Sequence, residues 1–153
     1  YILKAVASFD KETAVAMMKE YYGEVLDKGA TTFWEDFDLD WIENAAPIDE
    51  IVPEGKKDIH GDFGEYCYQG FRHSLCHGWA SGPTAYMSRA ILGVKILEPG
   101  CKKVEIKPQL GNLKWAKGRF PTPLGEITIE HNVVDCDVKT EYSAPEGIEI
   151  ILR

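Results

Sequence analysis

The spacing of the hydrophobic residues changes once along this 153-residue chain, after Pro99-Gly100. Before that point apolar residues recur every three or four positions, as on an amphipathic helix. After it they alternate with polar residues, as on a strand with one buried face. Helices followed by strands predict a segregated α+β protein, with a helical part over 1–97 and a β part over 98–153.

The clearest helical pattern covers residues 11–28. Asp10 precedes it as a good N-cap, and Gly29 follows it as a residue that readily adopts the left-handed C-cap conformation. A second helix is predicted over 85–93, with Pro83 near its start and a local irregularity around 78–83. Its apolar residues Met87, Ala90 and Ile91 are predicted to share one face.

Five short strands are predicted after Gly100, because runs of period two are separated by turn residues. Turns are expected at Asn132 and at the Pro- and Gly-containing segments. Together the strands predict an antiparallel sheet or β-sandwich. The alternating apolar positions are Val104 and Ile106; Leu113 and Trp115; Ile127 and Ile129; Val134, Cys136, Val138 and Thr140; and Ile148 and Ile150.

Composition excludes several classes of partner. A net charge of −8 disfavours nucleic acid, whose binding needs clustered lysine and arginine. Apolar runs fall short of the roughly 20 residues of a membrane span. The chain starts Tyr-Ile-Leu-Lys, without an initiator methionine or signal pattern, so we expect it to begin inside a longer polypeptide. The sequence does not indicate whether the protein belongs to the bacterial cytoplasm or periplasm. The four cysteines are expected to be reduced and mostly buried.

The stretch Gly29–Asp38 carries the strongest chemical signal. Glu35 follows Trp34 and precedes a run of aspartates that contains Phe37. Aromatic planes can stack on the apolar faces of sugars, while carboxylates bind hydroxyls or move protons. The alternative is a surface loop whose aromatic side chains simply pack beneath it, and the spacing alone does not separate the two.

His73, Cys76 and His77 are spaced so that a helix would place all three on one face, as metal ligands can be. No clear fourth ligand follows, and Gly78 and Pro83 interrupt the helical pattern. We therefore expect no metal and no cofactor. For His77, a structural role and a role as a ligand of a sugar hydroxyl beside Trp79 both stay open.

Six short motifs follow one another along the chain. They are Thr31-Thr32-Phe33-Trp34-Glu35, 74–83 (SLCHGWASGP), 92–94 (LGV), 97–100 (LEPG), 108–118 (PQLGNLKWAKG) and 121–125 (PTPLG). In their order and spacing these motifs resemble the C-terminal part of bacterial α-L-rhamnosidases. The first of them is similar to a Thr-Thr-x-Trp-Glu segment of that family.

The resemblance implies the terminal helices of an (α/α)6 barrel over 1–97 followed by a β-domain. It implies inverting hydrolysis of terminal α-L-rhamnosides, with Glu35 as the general base and His77 in contact with rhamnose. Trp34 and Trp79 would be pocket walls. The family's general acid lies upstream of its Trp-Glu segment, so this chain would be a C-terminal fragment, inactive alone, whose partners are a rhamnose-containing glycan and the upstream part of its own barrel.

Two alternatives stay open. The chain could belong to another inverting (α/α)6 glycosidase that acts on a different sugar. It could also be a carbohydrate-binding module without catalytic activity, because the second carboxylate of a hydrolytic pair is missing.

Overall fold

Helices precede strands along the chain, as the change of hydrophobic spacing predicts. A computed structural model describes residues 1–44, 54 and 74–153. His73 and Cys67 lie outside these residues. The chain divides into two units, Tyr1–Val15 together with Pro83–Arg153, and Ala16–Gly82. Among the described helices, none combines the length and the apolar character that a membrane span requires.

The first two helices are α1 (Ile2–Ala7) and α2 (Lys11–Asp27). Asp10 caps α2, because its carboxylate oxygens accept hydrogen bonds from the Thr13 N–H at 2.9 Å and the Thr13 hydroxyl at 2.6 Å. These bonds lower the pKa of Asp10. The helix predicted over 11–28 is confirmed to within one residue.

The second predicted helix is present but irregular. A 3₁₀ turn at Gly78–Ala80 precedes α3 (Gly82–Tyr86), which continues as a π-helix over Met87–Ile91. The shared face predicted for Met87 and Ile91 is wrong, since Met87 is exposed and Ile91 buried. The wider π turn, in which the Leu92 N–H donates to the Met87 C=O at 2.8 Å, changes the angular spacing of the side chains.

Within residues 1–44 and 74–153, six strands form two three-stranded sheets. In one sheet the order is β1-β2-β6, and in the other β3-β4-β5. The strands are β1 (Val94–Ile96), β2 (Lys103–Ile106), β3 (Trp115–Thr122), β4 (Gly125–Val134), β5 (Asp137–Ser143) and β6 (Glu149–Leu152). Short 3₁₀ segments cover Leu39–Asn44 and Pro99–Cys101.

The prediction of a purely antiparallel arrangement is wrong at one pairing. Strand β6 pairs parallel to β2, while β1 pairs antiparallel to it. A parallel pair needs a long crossover connection. Here the antiparallel meander β3-β4-β5 lies between β2 and β6 in sequence and supplies that connection.

A two-residue turn divides the strand predicted over 134–140. Asp135 and Cys136 have φ of +51° and +70° and connect β4 to β5. Positive φ at both positions is typical of the type I′ turn, which usually contains glycine or asparagine. Asn132, predicted as a turn, lies within β4 opposite Lys139.

The three described cysteines are free thiols. Burial is confirmed for Cys101 but wrong for Cys76 and Cys136, which are exposed. Cys136 is exposed because it occupies the tip of the β4–β5 hairpin.

His131 is the buried polar residue at the centre of the β3-β4-β5 sheet. It lies between Thr140 Oγ1, 2.8 Å from Nδ1, and the Leu92 C=O, 3.1 Å from Nε2. Since a carbonyl can only accept, the neutral ring carries its hydrogen on Nε2 and accepts the Thr140 hydroxyl at Nδ1. His131 thereby connects the sheet to the end of the helical segment. Apolar neighbours on the same sheet that are also buried are Ala116, Ile127 and Ile129.

Gly93 is where the chain leaves the helical segment and passes β2. Its φ is +71°, and a Cβ at this position would lie 2.2 Å from the Lys107 carbonyl carbon. The Lys107 N–H donates to the Gly93 C=O at 2.9 Å, which holds the two backbones together. No residue with a side chain fits without moving backbone.

We expect Gly93→Ala to lower the free energy of unfolding by about 3 kcal/mol or more, because it adds a backbone clash to the cost of a positive φ. Gly100→Ala is the matched control: Gly100 has φ of +72° with no atom near its missing Cβ. Its cost should be about 1 kcal/mol. Equal losses for the two variants in urea unfolding would contradict the close approach at Gly93.

Burial lowers the pKa of His131 below its ordinary value of 6.5, although the hydrogen bond to Leu92 acts in the opposite direction. The unfolded chain therefore takes up this proton at a higher pH than the folded chain does. The contribution of neutral His131 to the free energy of unfolding should be complete above about pH 6.5 and should be lost as the pH falls toward the lowered pKa. Urea unfolding from pH 7.5 to 5.5 should show a smaller fall for His131→Gln than for the wild type, and parallel profiles would contradict this.

Candidate active site

The C-terminus of α2 determines where the acidic–aromatic stretch begins. Gly29 has φ of +86°, and its N–H donates to the Leu26 C=O at 2.9 Å. The Ala30 N–H donates to the Val25 C=O at 3.2 Å. These two bonds form a Schellman motif, in which the residues equivalent to Ala30 and Val25 also make an apolar contact. Both residues are buried in one cluster, so the loop leaves the helix in a fixed direction.

The aromatic residues of this stretch pack beneath it. Trp34 and Phe37 are each 5% exposed, and their ring centroids are 6.0 Å apart in an edge arrangement. Tyr21 contacts Phe37 from α2 at a centroid distance of 5.7 Å. Packing beneath a loop, one of the two interpretations that the sequence left open, describes these side chains. The cluster consists of Val25, Ala30, Trp34 and Phe37, with Tyr21, Leu39, Ile42 and Leu75 packed against it.

The pKa of Tyr21 is raised by its surroundings in this region. Burial raises its pKa to about 12, with smaller contributions from the negative charges of Tyr22, Asp36 and Asp38. The phenol therefore stays protonated at neutral pH. The carboxylates of Asp36 and Asp38 therefore lie close enough to act on a ring that packs against the apolar cluster.

Segment 32–35 runs antiparallel to segment 74–77, and this pairing joins two of the sequence motifs. The hydrogen bonds connect the Glu35 N–H to the Ser74 C=O at 2.8 Å, the His77 N–H to the Phe33 C=O at 2.8 Å, and the Thr32 hydroxyl to the Leu75 C=O. The two motifs are about 40 residues apart in sequence. The pairing brings their backbones to hydrogen-bonding distance.

The Glu35 carboxylate takes part in the same pairing. Its Oε2 accepts the Ser74 N–H at 2.8 Å, and the side chain is half-buried. The neighbouring carboxylates of Asp36 and Asp38 instead accept backbone N–H groups one and two residues ahead, at Phe37 and Asp40. In the described bonds of this acidic run, the Glu35 carboxylate is the one that binds a distant segment.

The four predicted site residues, Glu35, His77, Trp34 and Trp79, differ in how far they are buried. The structure brings the backbone segments of Glu35 and His77 together, and His77 is half-buried. The Trp34 ring lies in the apolar cluster, whereas Trp79 is 91% exposed. The roles predicted for these four residues toward a sugar stay predictions.

Metal coordination has no support in the described part of the chain, where no group of three or more His, Cys, Asp or Glu side chains could hold an ion. His73, one of the three ligands considered from the sequence, lies outside that part.

Sequence reasoning did not identify Ser74 as the partner of Glu35. A backbone N–H acts through its position, and no residue type signals it. The available signal was that both motifs resemble segments of one family, which does not indicate the atoms that meet.

Comparisons with known proteins agree with the motifs. Residues 93–152 match the family model described as the bacterial alpha-L-rhamnosidase C-terminal domain. The chain is 27% identical over 128 residues to an alpha-L-rhamnosidase of Alteromonas sp. (strain LOR), which covers 80% of this chain and 11% of that protein.

Two solved structures are similar over 99% of this chain. One is a GH78 family rhamnosidase of Bacillus sp. GL1, with a TM-score of 0.68, 27% identity and 14% of its own chain covered. The other is an α-L-rhamnosidase from Dictyoglomus thermophilum, with a TM-score of 0.68, 25% identity and 15% of its chain covered. The predicted resemblance to the C-terminal part of bacterial α-L-rhamnosidases is confirmed, and the chain spans only a small share of those proteins.

We expect Thr32→Val to loosen the pairing of 32–35 with 74–77, because it removes the hydroxyl that binds the Leu75 C=O. Losing one such bond costs about 1 kcal/mol, so the amides of Glu35, Ser74 and His77 should exchange about fivefold faster in hydrogen-exchange measurements. The control is Thr31→Val, the same substitution at an exposed neighbour outside this bond. Unchanged exchange in Thr32→Val, or an equal effect of Thr31→Val, would contradict the assignment.

Proposed function

We propose that this chain is the C-terminal part of an inverting α-L-rhamnosidase and that Glu35 is the general base that activates the attacking water. The observation that carries the proposal is the anchoring of Glu35. Its carboxylate is half-buried and bound to the Ser74 N–H in a segment whose motif resembles the same enzymes.

The anchoring suits the task of a general base. Inversion needs a carboxylate held on one face of the sugar, so that a water fits between it and the anomeric carbon. A bound and partly buried carboxylate samples fewer orientations than an exposed one, which keeps the water in line for attack. Asp36 and Asp38 use their carboxylates for local backbone bonds and are the weaker candidates.

The other predicted residues take supporting roles in this proposal. His77 begins the 3₁₀ turn Gly78–Ala80 and contacts the hydroxyls of rhamnose. Trp79, with its exposed indole, provides the apolar surface on which a sugar ring can stack. Trp34, predicted as a pocket wall, packs against Phe37 instead and so stabilises the loop that carries Glu35.

The remaining half of the site belongs to the upstream part of the protein. An inverting pair needs a carboxylic acid about 6.5–9.5 Å from the base to protonate the leaving oxygen. We place that acid, and the other helices of the (α/α)6 barrel, upstream of Tyr1. Residues 1–97 would then be the last helices of the barrel, and this chain alone would not hydrolyse rhamnosides.

We expect Glu35→Gln in the full-length protein to lower kcat by at least about 100-fold on an aryl α-L-rhamnoside, because a positioned base contributes about 10²–10⁴-fold. The glutamine side-chain carbonyl can still accept the Ser74 N–H, so the fold should persist. Circular dichroism and the melting temperature would check that it does.

Glu43→Gln is the matched control, since Glu43 is exposed in the nearby segment Leu39–Asn44. It should keep wild-type kcat. Wild-type kcat in Glu35→Gln would remove Glu35 as the base. Rhamnoside binding by the full-length protein without any turnover would favour a carbohydrate-binding module instead, and turnover of another aryl glycoside only would favour a different glycosidase.

A further inference from the structure

Among the described residues, no strand pairs with the outer side of β5 in the β3-β4-β5 sheet. The residues of β5 are exposed except Thr140, which is half-buried. The opposite edge, β3, contains Pro121. If β3 paired antiparallel with β3 of a second copy about Gly118, Lys117 would lie opposite the partner's Arg119. Proline and charged side chains are common means of blocking an edge strand. Strand β5 has no proline, and its lysine and glutamate, Lys139 and Glu141, are of opposite sign, so a second copy could pair them.

The hydrogen-bonding groups of β5 are arranged for a further strand. In a two-residue hairpin the closing pair, here Val134 and Asp137, exchanges both of its hydrogen bonds. Alternate residues from that point direct their N–H and C=O away from β4. These residues are Val138, Thr140 and Tyr142, and no hydrogen bond from another described segment reaches their backbones.

The charges on the outer face of the sheet are satisfied on β3 and β4 but not on β5. Ion pairs join Lys117 to Glu130 at 2.7 Å and Arg119 to Glu126 at 3.4 Å. Within the described residues, Lys139 and Glu141 make no ion pair, and Glu141 lies directly opposite Glu130. Like charges opposite one another destabilise a sheet unless a cation offsets them.

The opposite face of β5 carries two apolar side chains in contact with solvent. Val138 and Tyr142 are each 45% exposed. They lie on the same side of the strand as Thr140, which binds His131. A new strand beside β5 would therefore extend the apolar face of the sheet.

We propose that β5 of this chain pairs antiparallel with β5 of a second copy, about a two-fold axis at Thr140, which makes one six-stranded sheet. This register pairs Val138 with the partner's Tyr142. It places Lys139 opposite the partner's Glu141, so two new ion pairs form and each cation lies near the Glu130–Glu141 pair. The outward N–H and C=O groups of Val138, Thr140 and Tyr142 are then hydrogen-bonded.

Charge reversal tests this register in the full-length protein. Lys139→Glu sets Glu against Glu in a homodimer, and Glu141→Lys sets Lys against Lys, so each should raise the dimer Kd about tenfold or more in sedimentation velocity. An equimolar mixture of the two variants sets Glu against Lys at both positions and should restore dimerisation. Misfolding of either variant could not produce that restoration.

The control is Lys114→Glu, a reversal of an exposed charge outside β5, which should leave the dimer Kd unchanged. Melting temperatures close to wild type would show that the variants fold. The proposal is overturned if the wild type stays monomeric, if the single variants dimerise as the wild type does, or if the mixture associates no more than its components. An unrelated protein bound along β5 in place of a second copy would overturn it as well.

Discussion

The contact around Leu92 and Gly93 holds the two sheets against the end of the helical segment. The Leu92 C=O meets the His131 ring, while Gly93 passes β2 at a distance that excludes a Cβ. Gly118 in β3 leaves room for the Leu92 side chain, since a Cβ there would lie 2.5 Å from Leu92 Cδ1. Gly93, Gly118 and neutral His131 therefore allow the backbone, the carbonyl and the side chain around Leu92 to pack closely. This contact positions β2 on one side and β3 and β4 on the other.

Local chemistry made the α2 region predictable. Asp10 and Gly29 each act on the residues next to them, and the structure uses both as the sequence indicates. The Gly29 cap sets the direction in which the loop leaves the helix, and the hydrogen bonds between Glu35 and Ser74 then hold Glu35 in place. The partner of Glu35, the Ser74 N–H, could not be predicted, since a backbone donor has no residue-type signature.

Two of the features that sequence reasoning missed depend on tertiary contacts, and the third is a local turn without its usual residues. Interleaved aromatic and acidic residues fit a sugar pocket and a packed loop equally well, and burial of Trp34 and Phe37 is decided by α2 and Leu75. The turn at Asp135-Cys136 lacks glycine, so the alternation of apolar residues continues across it unmarked. Parallel pairing of β6 with β2 likewise has no local signal, because it depends on where the meander returns the chain.

The parallel pairing also sets an order of assembly during synthesis. Hairpins β3–β4 and β4–β5 use neighbouring residues and can close as soon as they leave the ribosome. Strand β2 is made before them, yet its register with β6 cannot form until residues 149–152 emerge. Val104 and Ile106 are fully buried in the finished protein, but until β6 is made they lack that neighbouring strand. A nascent chain paused before residue 149 would therefore expose the apolar residues that chaperones bind.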